Sequence, residues 1–156
     1  MYKWYEKFMN ILYSLQIARL KIMGAKVGKG VRVYGWFSVS GDPKKLSIGD
    51  NVTINQGVFL NCRDELIIES NSRLSSYCKI YTASLTLDSF PRKHISKKTH
   101  IKSNVWIASG AIVSLGITMG EYSTLGAGSV AIKDIEPYSF YAGVPAKKIL
   151  SISESK

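Results

Sequence analysis

Acidic residues are scarce in this chain of 156 residues. There are 11 of them against 21 lysines and arginines, which gives a formal net charge of +10. A charge of this size predicts an anionic partner. The basic residues are scattered and no recognised nucleic-acid-binding module is present, so we do not expect that partner to be nucleic acid.

Cysteine and histidine are also rare, with two residues of each. Cys62 and Cys78 do not have the spacing of a metal site, and we expect them to be reduced thiols, as is usual in the cytoplasm. Only His94 and His100 have side chains whose ordinary pKa lies near neutral pH. General acid or base chemistry therefore has few candidate residues.

The chain lacks a hydrophobic run long enough to span a membrane. Charges and amides interrupt the first 22 residues, and no small-residue cleavage site follows them, which disfavours a transmembrane helix and a signal peptide. Helical spacing of apolar residues instead predicts one amphipathic helix over residues 1–23. Its predicted stripe consists of Tyr5, Phe8, Met9, Leu12 and Leu15. Two hypotheses stay open: the helix packs on the rest of the protein, or it makes peripheral contact with an anionic membrane.

Aliphatic residues recur at intervals of six through most of the chain. A period of six fits neither a helix nor an ordinary strand, and it is typical of a solenoid whose short strands stack turn upon turn. An ordinary β-sandwich is the alternative, which the absence of period-two alternation disfavours. The predicted inward residues are Val27, Val33, Val39, Ile48, Ile54, Leu60, Ile68, Leu74, Ile80, Ile101, Ile107, Val113, Met119, Leu125 and Ala131.

Glycines and asparagines mark the predicted corners between strands. Four glycines directly follow an inward residue, where a sharp bend favours a residue without a Cβ. Asparagine suits the same corners because it tolerates left-handed backbone angles. One large break in the repeat, over about residues 85–98, predicts a loop that leaves the coil. The residues concerned are Gly28, Gly49, Gly120 and Gly126, with Asn51, Asn55, Asn61, Asn71 and Asn104.

An ordered series of motifs resembles the hexapeptide-repeat acyltransferases, over roughly residues 24 to 150. The resemblance is to maltose, galactoside and nodulation-sugar O-acetyltransferases and to acetyltransferases of exopolysaccharide and O-antigen clusters. It implies an all-β solenoid, a left-handed parallel β-helix, that assembles as a homotrimer. The motifs are Asn104-Val-Trp-Ile-Ala-Ser-Gly-Ala-Ile-Val, Gly116-Ile-Thr-Met-Gly, Gly126-Ala-Gly-Ser-Val, Lys133-Asp and Ala142-Gly-Val-Pro-Ala-Lys.

The resemblance also implies that acetyl-CoA is the acyl donor, bound in a groove between the coils of a trimer. Ser109 and Ala127 are 18 residues apart, which is one full turn if three strands make a coil, so we expect them to stack on one wall. Lysines near the end of the coil could bind the CoA phosphates, or form a solvated basic tail. The positions that match the family's donor site are Ser109, Ala127, Ile132, Lys133 and Lys147.

The family's catalytic base is a histidine that follows a segment resembling Tyr81-Thr-Ala-Ser. This chain has Leu85 at that position, and leucine cannot accept a proton. His94 is the first candidate for the base, because the loop around it could fold back over an acceptor site. His100 is the second candidate, and Asp88 could orient or replace the base.

These observations predict a cytoplasmic O-acetyltransferase that acts on a sugar hydroxyl in surface-polysaccharide or lipopolysaccharide biosynthesis. Its expected parts are the helix at 1–23, the β-helix at 24–150 and a tail at 151–156. No metal is expected, since zinc-dependent γ-type carbonic anhydrases of similar architecture need three histidines. A catalytically silent CoA-binding scaffold and an N-acetyltransferase of an amino sugar stay open as alternatives.

Overall fold

A computed structural model of the chain describes residues 2–152. It contains helix α1 (Tyr2–Ile22) and a 3-10 helix (Pro43–Lys45). The strands are β1 (Lys26–Val27), β2 (Arg32–Tyr34), β3 (Ser38–Gly41), β4 (Leu46–Ile48), β5 (Thr53–Asn55), β6 (Phe59–Cys62), β7 (Leu66–Ile68), β8 (Arg73–Leu74), β9 (Lys79–Ile80), β10 (Ala83–Leu85), β11 (His94–Ser96), β12 (Thr99–Ile101), β13 (Trp106–Ile107), β14 (Ile112–Val113), β15 (Thr118–Met119), β16 (Thr124–Leu125), β17 (Val130–Ala131), β18 (Ser139–Ala142) and β19 (Lys147–Ser151).

The strands form three parallel sheets that wind into one coil. Sheet A has the order β1-β4-β7-β12-β15, sheet C has the order β3-β6-β9-β14-β17, and sheet B has the order β2-β5-β8-β13-β16-β18, to which β19 adds as an antiparallel edge strand. Each of the first five turns contributes one strand to each sheet, and β18 extends sheet B by one further parallel strand. In the described residues the antiparallel pairs are β10 with β11 and β18 with β19. The predicted parallel β-helix is confirmed.

The strand register stacks the predicted inward residues in three columns. Ile68 pairs with Ile101 and Ile101 with Met119 in sheet A, and the equivalent aliphatic positions pair in sheets B and C. All of the predicted inward residues are buried except Val27 and Val39, which are half-buried. Because full burial of one such side chain contributes about 1.5 to 3 kcal/mol, these columns hold the coil together.

The asparagine prediction is confirmed at three corners and wrong at two positions. Asn51, Asn71 and Asn104 have φ of 57°, 63° and 58°, in the left-handed region. Asn55 and Asn61 lie inside β5 and β6 instead. The Asn55 amide donates to the next turn's Leu74 carbonyl oxygen at 2.9 Å. Asparagine therefore also links successive turns through its side chain.

The reason for glycine directly after an inward residue differs from the predicted one. Gly49 is not in the left-handed region, but a Cβ at this position would lie 2.5 Å from the Ser70 backbone nitrogen in the next turn. A Cβ at Gly120 would lie 2.3 Å from the Pro137 nitrogen. The close approach of successive turns, rather than the bend within one turn, requires glycine at these positions.

Helix α1 packs against the first turn of the coil. Leu20 is buried, and Tyr13 and Ile17 are partly buried against the core. The Gln16 side chain donates to the Gly35 carbonyl oxygen at 3.1 Å and accepts from the Phe37 backbone nitrogen at 3.1 Å. The predicted packing of the helix is therefore observed, and no helix in the described range is long and apolar enough to cross a membrane.

The predicted apolar stripe of α1 is only partly a packing face, because Met9 and Leu12 are half-buried, and the side chain of Tyr5 lies outside the described residues. Phe8 and Leu15 belong to that stripe, and both are exposed. The face that packs on the coil also carries Gln16, which does not belong to the predicted apolar stripe. At the other end of the chain, β19 extends to Ser151, and residues 153–156 of the predicted tail lie outside the described residues.

Candidate active site

The excursion between turns three and four is an antiparallel hairpin rather than an irregular loop. It consists of β10 and β11, with Ala83 opposite Ser96, Ser84 opposite Ile95 and Leu85 opposite His94. Backbone hydrogen bonds continue the ladder on both sides, from Thr86 N to Lys93 O and from Lys97 N to Thr82 O, each at 2.9 Å. The register of the hairpin is therefore fixed at both ends.

Two buried threonines attach the hairpin to the coil. The Thr82 hydroxyl donates to Asn61 in β6 and accepts from the Asp64 backbone nitrogen at 3.0 Å. At the other end, the Thr99 hydroxyl donates to the Tyr81 carbonyl oxygen at 2.7 Å and accepts from the Gly116 nitrogen at 3.0 Å. These bonds fix where the two ends of the hairpin leave and re-enter the coil.

The hairpin tip has its own hydrogen bonds. The Thr86 hydroxyl lies 2.6 Å from the Ser89 hydroxyl and accepts from the Lys93 nitrogen at 3.0 Å. The Arg92 guanidinium donates to the Thr86 carbonyl oxygen at 2.8 Å. Asp88 is exposed in this tip, and among the described contacts it has no hydrogen bond to either histidine. The structure therefore does not place the Asp88 carboxylate in hydrogen-bond contact with His94 or His100, the candidate bases.

His94 stands directly across the hairpin from Leu85. Because the hydrogen-bonded pairs are Thr86 with Lys93 and Thr82 with Lys97, the alternation of an antiparallel ladder makes Leu85 and His94 a non-hydrogen-bonded pair. Side chains of such a pair lie on the same face, with Cβ atoms about 4.5 to 5.5 Å apart. The hairpin therefore presents an imidazole beside the position where the resemblance expects a histidine.

A groove of about 490 Å³ runs along the base of the hairpin on the side of His94. Asp42, Arg63 and Ser40 line it from the earlier turns, and His94 and Ser96 line it from the hairpin. His94 is exposed in the single chain. The groove combines an imidazole with one positive and one negative side chain, a composition suited to a polar ligand.

His100 lies in a different environment from His94. Its Nε2 is 2.6 Å from Glu69 Oε1, and the same carboxylate accepts from Lys102 Nζ at 3.3 Å and from the Ser103 backbone nitrogen at 3.1 Å. Burial alone would raise the pKa of Glu69, but the hydrogen bonds from His100 and Lys102 outweigh it and lower that pKa. The cluster joins turn three to turn four at the edge between sheets A and B.

Ser109 and Ala127 stack at the edge between sheets B and C, as predicted from their spacing. The Gly128 nitrogen donates to the Ser109 carbonyl oxygen at 2.9 Å. A Cβ at Gly128 would meet no atom within 4 Å, and Ser109 and Ala127 are exposed. We call the exposed main chain at 109–110 and 127–128 the B/C ledge. A ligand could approach its backbone groups closely.

The structure divides the other predicted donor residues between two edges. The Ala146 nitrogen donates to the Val130 carbonyl oxygen at 2.8 Å, which places the start of β19, and with it Lys147, at the edge of the B/C ledge. Ile132 and Lys133 follow β17 at the edge between sheets C and A, the edge from which the hairpin leaves the coil. The predicted donor residues therefore flank sheet C on both sides.

The thiols offer no additional chemistry. Cys62 and Cys78 are both buried and free. Burial raises the pKa of each thiol to about 12, with a further contribution from Asp42 at Cys62. Neither side chain is an accessible nucleophile at neutral pH. Within residues 2–152, no group of three or more histidine, cysteine or acidic side chains is arranged to hold a metal ion.

Comparison with known proteins identifies the family. No family model matches the sequence. A maltose O-acetyltransferase from Clostridium difficile has a crystal structure that superposes with a TM-score of 0.83, at 30% identity, covering 91% of this chain and 77% of that one. The chain belongs to the hexapeptide-repeat acetyltransferases.

Two further members of this family support the assignment. A hexapeptide-repeat acetyltransferase from Vibrio cholerae, solved in complex with acetyl-CoA, has a TM-score of 0.83 at 26% identity, covering 90% of this chain and 78% of that one. The galactoside O-acetyltransferase of Escherichia coli is 30% identical over 132 residues, which are 84% of this chain. The chain spans 57% of the length of that enzyme.

Sequence reasoning missed the partners that position the candidate residues of this hexapeptide-repeat protein. Glu69 contacts His100 from 31 residues away, because the hairpin separates turns that would otherwise be 18 residues apart. Thr82 carries no pattern that reveals its role, since its hydroxyl bonds to residues of the preceding turn. To find the Glu69–His100 contact and the role of Thr82 from the sequence, one would need to know how the strands on either side of the hairpin align.

Proposed function

We propose that the protein transfers an acetyl group from acetyl-CoA to a hydroxyl group of a sugar, with His94 as the general base. The observation that carries the proposal is the pairing of His94 with Leu85, which supplies an imidazole next to the position of the family's histidine. The galactoside and maltose O-acetyltransferases among the similar proteins support a sugar acceptor. The acetyl-CoA complex of the Vibrio cholerae protein supports the donor.

The B/C ledge fits the donor. Its exposed backbone groups can form hydrogen bonds with the amide groups of the pantetheine arm, because Gly110, Gly128 and Ala127 leave the main chain accessible. Lys133 and Lys147 are exposed cations on either side of sheet C and can neutralise the phosphates of CoA. Acetyl-CoA supplies the acetyl group as a thioester, and the residues named here would hold it.

The role of His94 follows from the chemistry of acyl transfer. The acceptor hydroxyl oxygen forms a bond to the thioester carbonyl carbon, the carbon–sulfur bond breaks, and CoA leaves as a thiol. The His94 imidazole accepts the hydroxyl proton during attack and returns it to the departing sulfur. A positioned imidazole typically contributes about a hundredfold to ten-thousandfold to such a reaction.

We further propose that the site is shared between subunits of a homotrimer. Within one chain the B/C ledge and the His94 hairpin lie on opposite sides of sheet C, and the hairpin exposes Leu87 by 84% and Phe90 by 81%. Apolar side chains this exposed are expected on a segment that lies against a neighbouring subunit. A neighbour's ledge would then complete the site around His94.

The acceptor we favour is a phosphorylated saccharide, either a nucleotide sugar or a lipid-linked saccharide used in surface-polysaccharide assembly in the cytoplasm. The net charge of +10 supports an anionic acceptor. Arg63 in the groove beside His94 is placed to bind such a phosphate. Neutral free sugars should therefore be poorer acceptors than their phosphorylated forms.

The test is a thiol-release assay with acetyl-CoA and a panel of free, nucleotide-linked and lipid-linked sugars. We expect His94→Ala to lower kcat by about a hundredfold or more, with CoA affinity by calorimetry unchanged. Lys93→Ala is the matched control, because it truncates the neighbouring exposed side chain and keeps the backbone bonds of the tip. His100→Ala should have a much smaller effect.

Two results would overturn the proposal. An unchanged rate in His94→Ala would remove His94 as the base. CoA binding without turnover on any acceptor would favour the catalytically silent scaffold, which the leucine at position 85 motivates.

A further inference from the structure

Helix α1 has a second apolar face that the coil does not cover. Ile22 is 87% exposed, Trp4 71%, Leu15 56%, Ile11 55% and Phe8 46%. Along the chain these residues, together with the exposed Ala18, occupy positions 4, 8, 11, 15, 18 and 22. The intervals of three and four place them in a single stripe along the helix. We call this the outer stripe.

The outer stripe lies opposite the face of α1 that packs on the coil. That packed face carries Tyr13, Ile17 and Leu20, and at 3.6 residues per turn it falls on the other side of the helix axis. The packed face already attaches the helix to the coil, so the fold of the single chain does not require the outer stripe to be apolar. A continuous exposed apolar surface of this kind indicates an interaction site.

An apolar helix face can bind either a second copy of the same helix or a lipid bilayer, and the charges beside the stripe distinguish the two. Arg19 and Lys21 are exposed and fall on opposite sides of the outer stripe. The helix sequence contains four basic residues and a single acidic one, Glu6. A second copy of the same helix would bring like charges together along the seam, which is unfavourable. An anionic bilayer attracts these charges, by about 1 kcal/mol for each basic residue near its surface.

We propose that the outer stripe of α1 docks on an anionic lipid bilayer, with the helix lying in the plane of the interface. The aromatic residues Trp4 and Phe8 stack on each other with ring centroids 5.7 Å apart and suit the boundary between headgroups and acyl chains. The flanking cations face the lipid phosphates. This binding does not depend on the proposed acetyl transfer, although it would bring the enzyme to lipid-linked acceptors.

The experiment is co-sedimentation of the full chain with vesicles of phosphatidylcholine alone and of phosphatidylcholine mixed with phosphatidylglycerol. We expect binding to the mixed vesicles that weakens as salt is added. The double variant Ile11→Asn, Leu15→Asn should lower the partition coefficient by at least about a hundredfold, because two apolar side chains lose their burial. Arg19→Gln with Lys21→Gln should lower it about tenfold or more at low salt, with little effect at high salt.

The matched control is Ile149→Asn with Leu150→Asn, the same substitutions at exposed positions of β19. It should bind the mixed vesicles as the parent does, and thermal unfolding should show that all variants are folded. Failure of the parent to bind mixed vesicles, or full binding by the Ile11, Leu15 variant, would overturn the proposal. A loss of oligomeric mass in that variant by sedimentation equilibrium would instead assign the stripe to a second copy. Acetyl transfer to a soluble sugar should be unchanged in the stripe variants, so failure here is separable from failure of the proposed function.

Discussion

The coil and the hairpin are both made of short strands but are stabilised in different ways. A coil strand such as β13 pairs on both sides, with β8 and β16, and its inward residue Ile107 is fully buried. The hairpin strands pair only with each other, and every residue of β11 is exposed. The hairpin is attached to the coil chiefly through Thr82 and Thr99 at its two ends.

Because of this difference, the residues that stabilise the fold lie in the coil, and the proposed base lies outside it in the hairpin. Substitutions inside the coil disturb a column that runs through all turns, whereas substitutions in the hairpin disturb a pair of strands that little else contacts in the single chain. Side chains of the hairpin, including the proposed base His94, can therefore be substituted with little change to the coil. The comparison predicts large stability effects in the coil and large activity effects in the hairpin.

The largest expected stability effect tests the coil directly. Ile107→Ala should lower the free energy of unfolding by about 2 to 5 kcal/mol, because Ile107 lies between Leu74 and Leu125 and leaves a cavity that the stacked turns cannot close. Leu87→Ala in the hairpin removes a side chain that is 84% exposed and should change the free energy of unfolding by less than about 0.5 kcal/mol. Urea unfolding curves measure both. Similar losses in the two variants would show that the hairpin is as integrated as the coil.

The next effect tests the attachment between the two regions. Thr82→Val keeps the side-chain shape but leaves the Asp64 nitrogen without its acceptor, at a cost of about 1 to 3 kcal/mol. We expect the coil to stay folded while the hairpin loosens, so trypsin should cut after Arg92 and Lys93 several times faster. Acetyl transfer should fall with it. Thr124→Val on the outer face of sheet B is the matched control, and equal cleavage rates in the two variants would contradict the role of Thr82 as an anchor.

The coil could be predicted from the sequence, and the hairpin could not. The period of six is imposed by the stacking of turns, so positions such as Ile54 and Val113 are identified by spacing alone. No period continues through residues 81–98, and the pairing of Leu85 with His94 depends on a register that the hydrogen bonds of Thr86 set. The stacking of Ser109 and Ala127 on the ledge followed from their spacing of 18, whereas the position of His94 opposite Leu85 depends on a register that no spacing reveals.

The helix shows a second limit of pattern reasoning. α1 has apolar residues on two opposite faces, so helical spacing alone predicts an amphipathic helix but does not decide which face packs. Gln16 is polar and so is not expected on a packing face, but its side chain makes two hydrogen bonds to the coil. Phe8 and Leu15 look like packing residues and are exposed. Only the docked position of the helix distinguishes the two faces.

The smallest expected effect concerns the cluster that joins turns three and four. The folded-state pKa of Glu69 lies below the ordinary value of 4.5, since the hydrogen bonds from His100 and Lys102 overcome the opposing effect of burial. The ionised carboxylate therefore stabilises the fold fully above about pH 4.5, and this contribution is lost as the pH falls through the lower folded value. Glu69→Gln should thus destabilise the protein near neutral pH and hardly at all in acid.

The expected loss is below about 1 kcal/mol, because the Glu69 side chain is 34% exposed and solvent screens the ion pair. Thermal unfolding at neutral and at acid pH measures it. Glu65→Gln is the matched control, since Glu65 pairs with Lys98 at 3.3 Å but both side chains are at least half exposed, and its substitution should have no measurable effect. If the stability difference between the parent and Glu69→Gln were the same in acid as at neutral pH, the cluster would stabilise the coil by packing rather than by charge. This connection between turns would then resemble the apolar columns of the coil interior rather than the threonine hydrogen bonds that attach the hairpin.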